Sequence, residues 1–241
     1  MKFYYSKKLT PFTNLTHAFT TKQIGNLAFH VGDNKLSVEK NHENLAKILN
    51  YEKRTLVHMK QIHSDIVVSA DKYSFENPPT CDALITNKQN TPLMVMVADC
   101  SAVLFYDDTK KAIAVAHAGR AGAFKNIVKT VVERMNREFG SNPKDIIVSI
   151  GASIGVCCYE VGSEIYDEAK TLELQYAMQK RDGSFYLDVN KILKNQLLSC
   201  GVDEENIEIL DVCTSCNTHS CFSYRAEKQT GRFAGVLMMK E

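Results

Sequence analysis

Residues 93–140 restrict the choice of fold more than any other stretch of the chain. Leu93 to Val97 is apolar throughout and partly β-branched, the pattern of a strand covered on both faces. Val103–Tyr106 and Ala112–His117 then flank Asp107-Asp108-Thr109-Lys110, which predicts a β-hairpin with a four-residue turn. Beyond Gly119-Arg120-Ala121-Gly122, apolar residues recur at Phe124, Ile127, Val128, Val131, Val132 and Met135 with charges between them. That period predicts an amphipathic helix ending near Gly140. Asp145–Ile150, Ile207–Leu210 and Phe233–Met239 read as further strands, and Ser163–Met178 and Val189–Leu198 as helices. Hairpins thus alternate with strand–helix crossovers, which points to α/β architecture with a mixed sheet and covering helices rather than a doubly wound parallel sheet. No linker, repeat or low-complexity tract interrupts the chain, so residues 1–241 are expected to form one domain.

Charge narrows the function classes. The 29 basic and 28 acidic side chains leave a net charge of +1, with no basic surplus to steer a phosphate backbone, so no nucleic-acid partner is expected. The longest greasy run, Leu93–Tyr106, is broken by Asp99 and is too short to span a bilayer. The first residues lack the apolar core of a signal peptide. A cytoplasmic protein without a membrane partner is expected. Its eight cysteines then read as buried thiols, metal ligands or catalytic groups rather than disulfides.

Three residues at predicted strand ends or turns carry chemistry: His63 in Gln61-Ile62-His63, Cys100 in Ala98-Asp99-Cys100, and His117 in Ala116-His117-Ala118-Gly119. Two imidazoles and a thiolate suit zinc, and three protein ligands leave a fourth position for water or substrate, as in catalytic sites. His117 shares a strand face with Ile113 and Val115, so it closes a strand whose other members on that face are core. Taken singly, His117 also reads as a satisfied polar residue, Cys100 as an inert buried thiol and His63 as a surface loop residue. His17, His30, His42 and His58 have no comparable context. The glycines after His117 suit either an anion held at a helix start or a tight turn. Cys213, Cys216, His219 and Cys221 resemble a local zinc knuckle, but the second half is cramped, and no second zinc is expected on them. That segment reads instead as the approach to a strand at Phe222–Arg225. Cys157-Cys158 suits a nucleophile or a pair of turn thiols.

In chain order, these stretches continue with Cys81-Asp82-Ala83-Leu84-Ile85-Thr86, Gly151-Ala152-Ser153-Ile154-Gly155-Val156-Cys157-Cys158-Tyr159-Glu160-Val161-Gly162, Cys213-Thr214, Phe222-Ser223-Tyr224-Arg225 and Thr230-Gly231-Arg232. Together they resemble the YfiH-type purine nucleoside phosphorylase family, also known as laccase-domain or multicopper polyphenol oxidase proteins, from about Gly25 to the C-terminus. The resemblance implies a layered α/β sandwich of mixed sheets and a zinc enzyme of purine nucleoside metabolism, with His63, Cys100 and His117 as the metal ligands. It implies phosphorolysis of adenosine, inosine, guanosine and methylthioadenosine, adenosine deamination, and purine nucleoside and phosphate as partners. Some members of the family are instead named peptidoglycan editing factors. The family pattern His-Ala-Gly-Trp-Arg-Gly is altered here, with Arg120 at the tryptophan and Ala121 at the arginine. Ala226 replaces the usual second arginine after Phe-Ser-Tyr-Arg.

Deamination needs a carboxylate to move protons beside the metal, for which Asp99 and Glu160 are the catalytic candidates. Phosphorolysis needs cations on phosphate, and Arg120 and Arg225 are the substrate-binding candidates. Two competing readings stand beside these. The first is a copper oxidase, since His2Cys with an axial methionine is a copper set and Met59, Met94 and Met96 are near in sequence. The second is a metal-free Cys–His hydrolase using Cys100 or Cys157. A zinc-stabilised binding protein is the non-enzyme alternative.

Overall fold

A computed structural model describes all 241 residues, Met1–Glu241. The predicted hairpin is its centre: β6 (Ser101–Asp107) and β7 (Ala112–Ala118) pair antiparallel from Ser101 opposite Ala118 to Asp107 opposite Ala112. Asp107 shapes the turn, its carboxylate accepting the N–H groups of Thr109 and Lys110 at 2.9 and 3.0 Å. Around the hairpin a six-stranded sheet runs β12 (Ile207–Ile209), β8 (Ile146–Ile150), β6, β7, β4 (Ala83–Thr86), β3 (Val67–Ser69). Its outer pairs, β12 with β8 and β3 with β4, are parallel and its inner pairs antiparallel, so the sheet is mixed as expected.

A second, four-stranded antiparallel sheet runs β1 (Phe3–Tyr4), β2 (Leu15–Thr20), β13 (Phe233–Met239), β5 (Leu93–Val97). Strand alternation explains how the two sheets stack. Leu104, Tyr106, Ile113 and Val115 on one face of the large sheet meet Leu93, Val95, Phe19 and Leu237 of the small one in a shared core. The opposite face of the hairpin, Val103, Phe105 and Ala112 through Ala118 at alternate positions, packs on α3 (Ile127–Phe139) and α5 (Val189–Ser199). The outer face of the small sheet, with Ala18, Met94 and Val236, is covered by Leu45 and Leu49 of α1 (Lys35–Leu49). Four layers result: helices, large sheet, small sheet, helix. Gly235 lets the sheets approach, since a Cβ there would sit 3.1 Å from Ala102 Cβ. No helix is long and apolar enough to cross a membrane.

Three segments differ from the sequence reading. The helix after the hairpin is two helices, α2 (Arg120–Phe124) and α3, because Asn126 adopts a left-handed conformation with φ 65° between them. The helix expected over Ser163–Met178 stops early: α4 covers Ser163–Thr171, Glu173 turns left-handed at φ 59°, and the chain enters a small sheet of β10 (Met178–Arg181), β11 (Ser184–Leu187) and β9 (Glu160–Val161). Phe222–Arg225 leads into the short helix α6 (Tyr224–Glu227), not a strand, because the Ser223 hydroxyl caps it by accepting the Ala226 N–H.

Candidate metal centre

The chain crosses from the small sheet to the large one between β5 and β6, and only three residues, Ala98, Asp99 and Cys100, make the crossing. Asp99 bears the strain, with φ 89°, in a region that favours glycine. Its carboxylate holds the crossing in place by accepting Thr214 Oγ1 at 2.6 Å, Ser223 Oγ at 2.7 Å and the Arg225 N–H at 2.6 Å. Its carbonyl accepts the Ile154 N–H at 2.8 Å. The crossing delivers Cys100 beside His117, which lies near the end of β7.

His63 arrives from a loop clamped to the edge of the small sheet. The side-chain amide of Gln61 substitutes for a missing strand partner of β5, donating to the Met96 carbonyl at 2.8 Å and accepting the Met96 N–H at 2.9 Å. His63 itself is left-handed, φ 58°. The buried carboxylate of Asp82 then gathers the loop, accepting N–H groups from Ile62, His63 and Ser64 at 3.2, 3.0 and 2.7 Å and the Ser64 hydroxyl at 2.7 Å. The same carboxylate lies 2.8 Å from His117 Nδ1. It thereby fixes the proton on Nδ1 and turns Nε2 outward as a donor, the arrangement in which carboxylates orient metal-binding imidazoles.

The donor atoms of His63, Cys100 and His117 all lie within 4.8 Å of one another, and the two imidazole rings meet edge-on with centroids 4.7 Å apart. Gly119 makes this convergence possible: a Cβ there would fall 2.6 Å from Cys100 Sγ. The glycine is thus needed for room around the thiol. Burial opposes ionisation of Cys100, but the charge of His117 and hydrogen bonds with His117 and His63 outweigh it and bring the thiol down to about 6. Burial likewise disfavours the charged form of His117, yet the Cys100 thiolate and the Asp82 bond raise it to about 9. Burial pushes Asp82 up, and its bonds to His117 and Ser64 overcome this and hold it well below the usual carboxylate range. An anionic sulfur between two imidazoles, one of them oriented by the Asp82 carboxylate, fits a divalent cation, which would take the place of the proton on His117 Nε2.

The triad forms part of the wall of a cavity of about 1100 Å³. Of the residues singled out in the sequence, Asp99, Arg120 and Arg225 also line it, whereas Glu160 does not. Glu160 is exposed on β9, and its carbonyl accepts Arg225 Nη1 at 2.8 Å. Arg225 also donates to the Cys158 carbonyl at 3.3 Å and lies over the Tyr159 ring, 5.1 Å from its centroid. Arg120 pairs with Glu168 at 2.9 Å, joining α2 to α4. Lys35, Lys60, Lys228 and Arg232 complete a set of six lysines and arginines facing one carboxylate. The sequence reading gave none of these four a role, although Arg232 stood in the Thr230-Gly231-Arg232 motif; they are scattered over almost two hundred residues and gathered only by the fold. It also missed Asp82, although the residue stood inside a quoted motif.

Comparison with known proteins agrees with this architecture. Residues 16–240 match a family model described as multi-copper polyphenol oxidoreductase laccase. The purine nucleoside phosphorylase YlmD of Bacillus subtilis is 31% identical over 92% of this chain and 88% of its own length. A purine nucleoside phosphorylase of Clostridium acetobutylicum is 35% identical over 85% of this chain and 86% of its own. Among solved structures, YlmD from Geobacillus stearothermophilus superposes with a TM-score of 0.90 at 28% identity, covering 96% of this chain and 94% of the other. The Bacillus licheniformis protein YfiH gives 0.88 at 30% identity over 94% and 93%. With the layered sandwich, the ordered motifs and these matches in agreement, the chain belongs to the YfiH/YlmD family of laccase-domain proteins.

Proposed function

We propose that the chain is a zinc-dependent purine nucleoside phosphorylase of the cytoplasm, with adenosine and methylthioadenosine among its substrates and adenosine deamination as a lesser activity. The observation that carries this reading is the opening of a His2Cys triad into a cavity with six cationic side chains and one carboxylate. Such a wall suits an anionic co-substrate together with a neutral nucleoside. Zinc held by His63, Cys100 and His117 would supply a Lewis acid facing the cavity.

The remaining work falls to the chain's own residues. Arg120 and Arg225 hold phosphate, since planar guanidinium groups pair with it in bidentate fashion. An oxygen of hydrogen phosphate attacks ribose C1′ as the bond from C1′ to the purine nitrogen breaks, and the proton that the phosphate gives up is taken by the released purine. Tyr159 and Tyr224 offer apolar faces to the base from the same side as Arg225. Both oxygens of Asp99 already accept hydrogen bonds, so its part is to anchor the crossing that carries Cys100 and the backbone of Arg225. Glu160, outside the cavity lining, contributes its carbonyl to Arg225. Phosphorolysis is therefore favoured over deamination, for which a carboxylate free to move protons is wanted. The donor inventory favours zinc over a multinuclear copper centre: besides the triad, the only other group with metal-ligand spacing is made of four cysteines.

Metal analysis of the purified protein, coupled to chromatography of adenosine incubated with and without phosphate, tests the proposal. Adenine and ribose 1-phosphate formed only with phosphate is the expected result. Inosine formed without phosphate would make deamination the main activity, and bound copper with neither product would favour the oxidase.

A further inference from the structure

The fold brings together two cysteine pairs that are separate in the sequence. Cys157 and Cys158 occupy the loop between β8 and β9, and Cys213 and Cys216 the loop between β12 and α6. Their four sulfurs all lie within 4.8 Å of one another, with Cys158 Sγ 3.3 Å and Cys157 Sγ 3.7 Å from Cys216 Sγ. Four thiolates around one zinc at about 2.3 Å would be spaced about 3.8 Å apart. The grouping is not the local knuckle suggested by Cys213, Cys216, His219 and Cys221, since Cys221 is buried in the core between the sheets.

We propose that Cys157, Cys158, Cys213 and Cys216 bind one zinc ion as a tetrathiolate structural site, distinct from the His63–Cys100–His117 centre. Thiolate ligands select soft or borderline metals, and so compact a set suits a single ion rather than an iron–sulfur cluster that spreads its cysteines over several irons. The surroundings are built for an anionic sulfur centre. The Gly155 N–H donates to Cys213 Sγ at 3.2 Å. Gly155 is also the residue that the cluster permits, because a Cβ there would come within 3.2 Å of Cys157 Sγ and 3.3 Å of Cys213 Cβ. Arg181 donates to the Val156 carbonyl at 2.8 Å and Arg225 to those of Cys158 and Glu160, so two cations flank a site whose four thiolates exceed the charge of one divalent ion. The ion would tie together the two loops that carry Ile154, Tyr159, Tyr224 and Arg225 to the cavity, fixing one wall of it.

The test is zinc stoichiometry and X-ray absorption on intact protein purified under reducing conditions. Wild type is expected to hold two equivalents. The double variant His63→Ala, His117→Ala is expected to hold one, with a first shell of four sulfurs at about 2.3 Å. Cys157→Ser with Cys216→Ser should lose one equivalent and keep the other; if that variant does not fold, the absorption spectrum of the histidine variant decides. A histidine double variant without zinc, a first shell containing nitrogen or oxygen, or a Cys158–Cys216 disulfide in the reduced preparation would overturn the proposal.

Discussion

At the scale of single residues, the His63–Cys100–His117 cluster depends on two residues outside it, Asp82 and Gly119. Asp82 accepts five hydrogen bonds, one of them from His117. An asparagine offers one acceptor oxygen where the site uses two, and its NH2 group would face donors. Asp82→Asn is therefore expected to lower zinc affinity roughly 10–100-fold, the usual effect of losing a carboxylate behind a metal-bound imidazole. Competition against a chromophoric chelator measures it, and an unchanged affinity would remove Asp82 from the centre. Gly119→Ala acts from the other side by pressing on Cys100 Sγ. Overpacking of this kind costs about 1–3 kcal/mol. Here it falls on a proposed ligand, so the same titration should show affinity down about tenfold or more. The three members of the cluster were legible in the sequence as candidates because His63, Cys100 and His117 each stand in a distinctive local context, and the fold brings them together. The role of Asp82 was not, because an aspartate before a strand is an ordinary residue until the fold brings His117 to it.

Among the elements, those with their own apolar signature were legible: β5, the hairpin, β8, α5 and β13 lie where periodicity puts them. What periodicity could not supply is pairing between distant segments. β13 lies between β2 and β5, and Cys158 meets Cys216 from 58 residues away. The two candidate arginines also separate at this scale. The Arg120–Glu168 pair joins α2 to α4 at a partly exposed site, where ion pairs contribute about 0–1 kcal/mol. Arg120→Ala should leave the melting temperature within a few degrees of wild type. A lost hydrogen bond to a charged group is worth about 1.5–3 kcal/mol, so KM for phosphate should rise roughly 10–100-fold. Arg225 is woven into the loops through Cys158, Glu160 and Asp99. Its alanine variant should lower kcat/KM for nucleoside and for phosphate together and should also lower the melting temperature. Steady-state kinetics with each substrate varied in turn, beside thermal melts, checks both; an Arg225→Ala profile confined to phosphate would place it with Arg120.

For the whole molecule, the packing of α1 on the small sheet, one of the two outer layers, is acid-sensitive. His42 on α1 is 1% exposed, stacks on Phe29 with ring centroids 5.5 Å apart, and donates from Nε2 to the Leu27 carbonyl at 2.8 Å. Its Nδ1 has no partner. Burial lowers its pKa from 6.5 to about 4, against a smaller opposing effect of the Leu27 bond. In the unfolded chain the ring titrates near 6.5, so between pH 6.5 and 4 the unfolded state binds the extra proton. Stability is then fully present above pH 6.5 and falls as the pH drops toward 4, by about 3 kcal/mol from this residue. Burial lowers His17 and His58 in the same direction, so their contributions have the same sign. Urea unfolding of metal-free protein at pH 7 and pH 4.5 should show this loss. His42→Gln keeps a donor for Leu27 and removes the titration, so its stability should depend less on pH by most of that amount. Equal pH dependence in the two proteins would mean that the ring gains a proton without leaving the core, and that acid acts elsewhere in the sandwich.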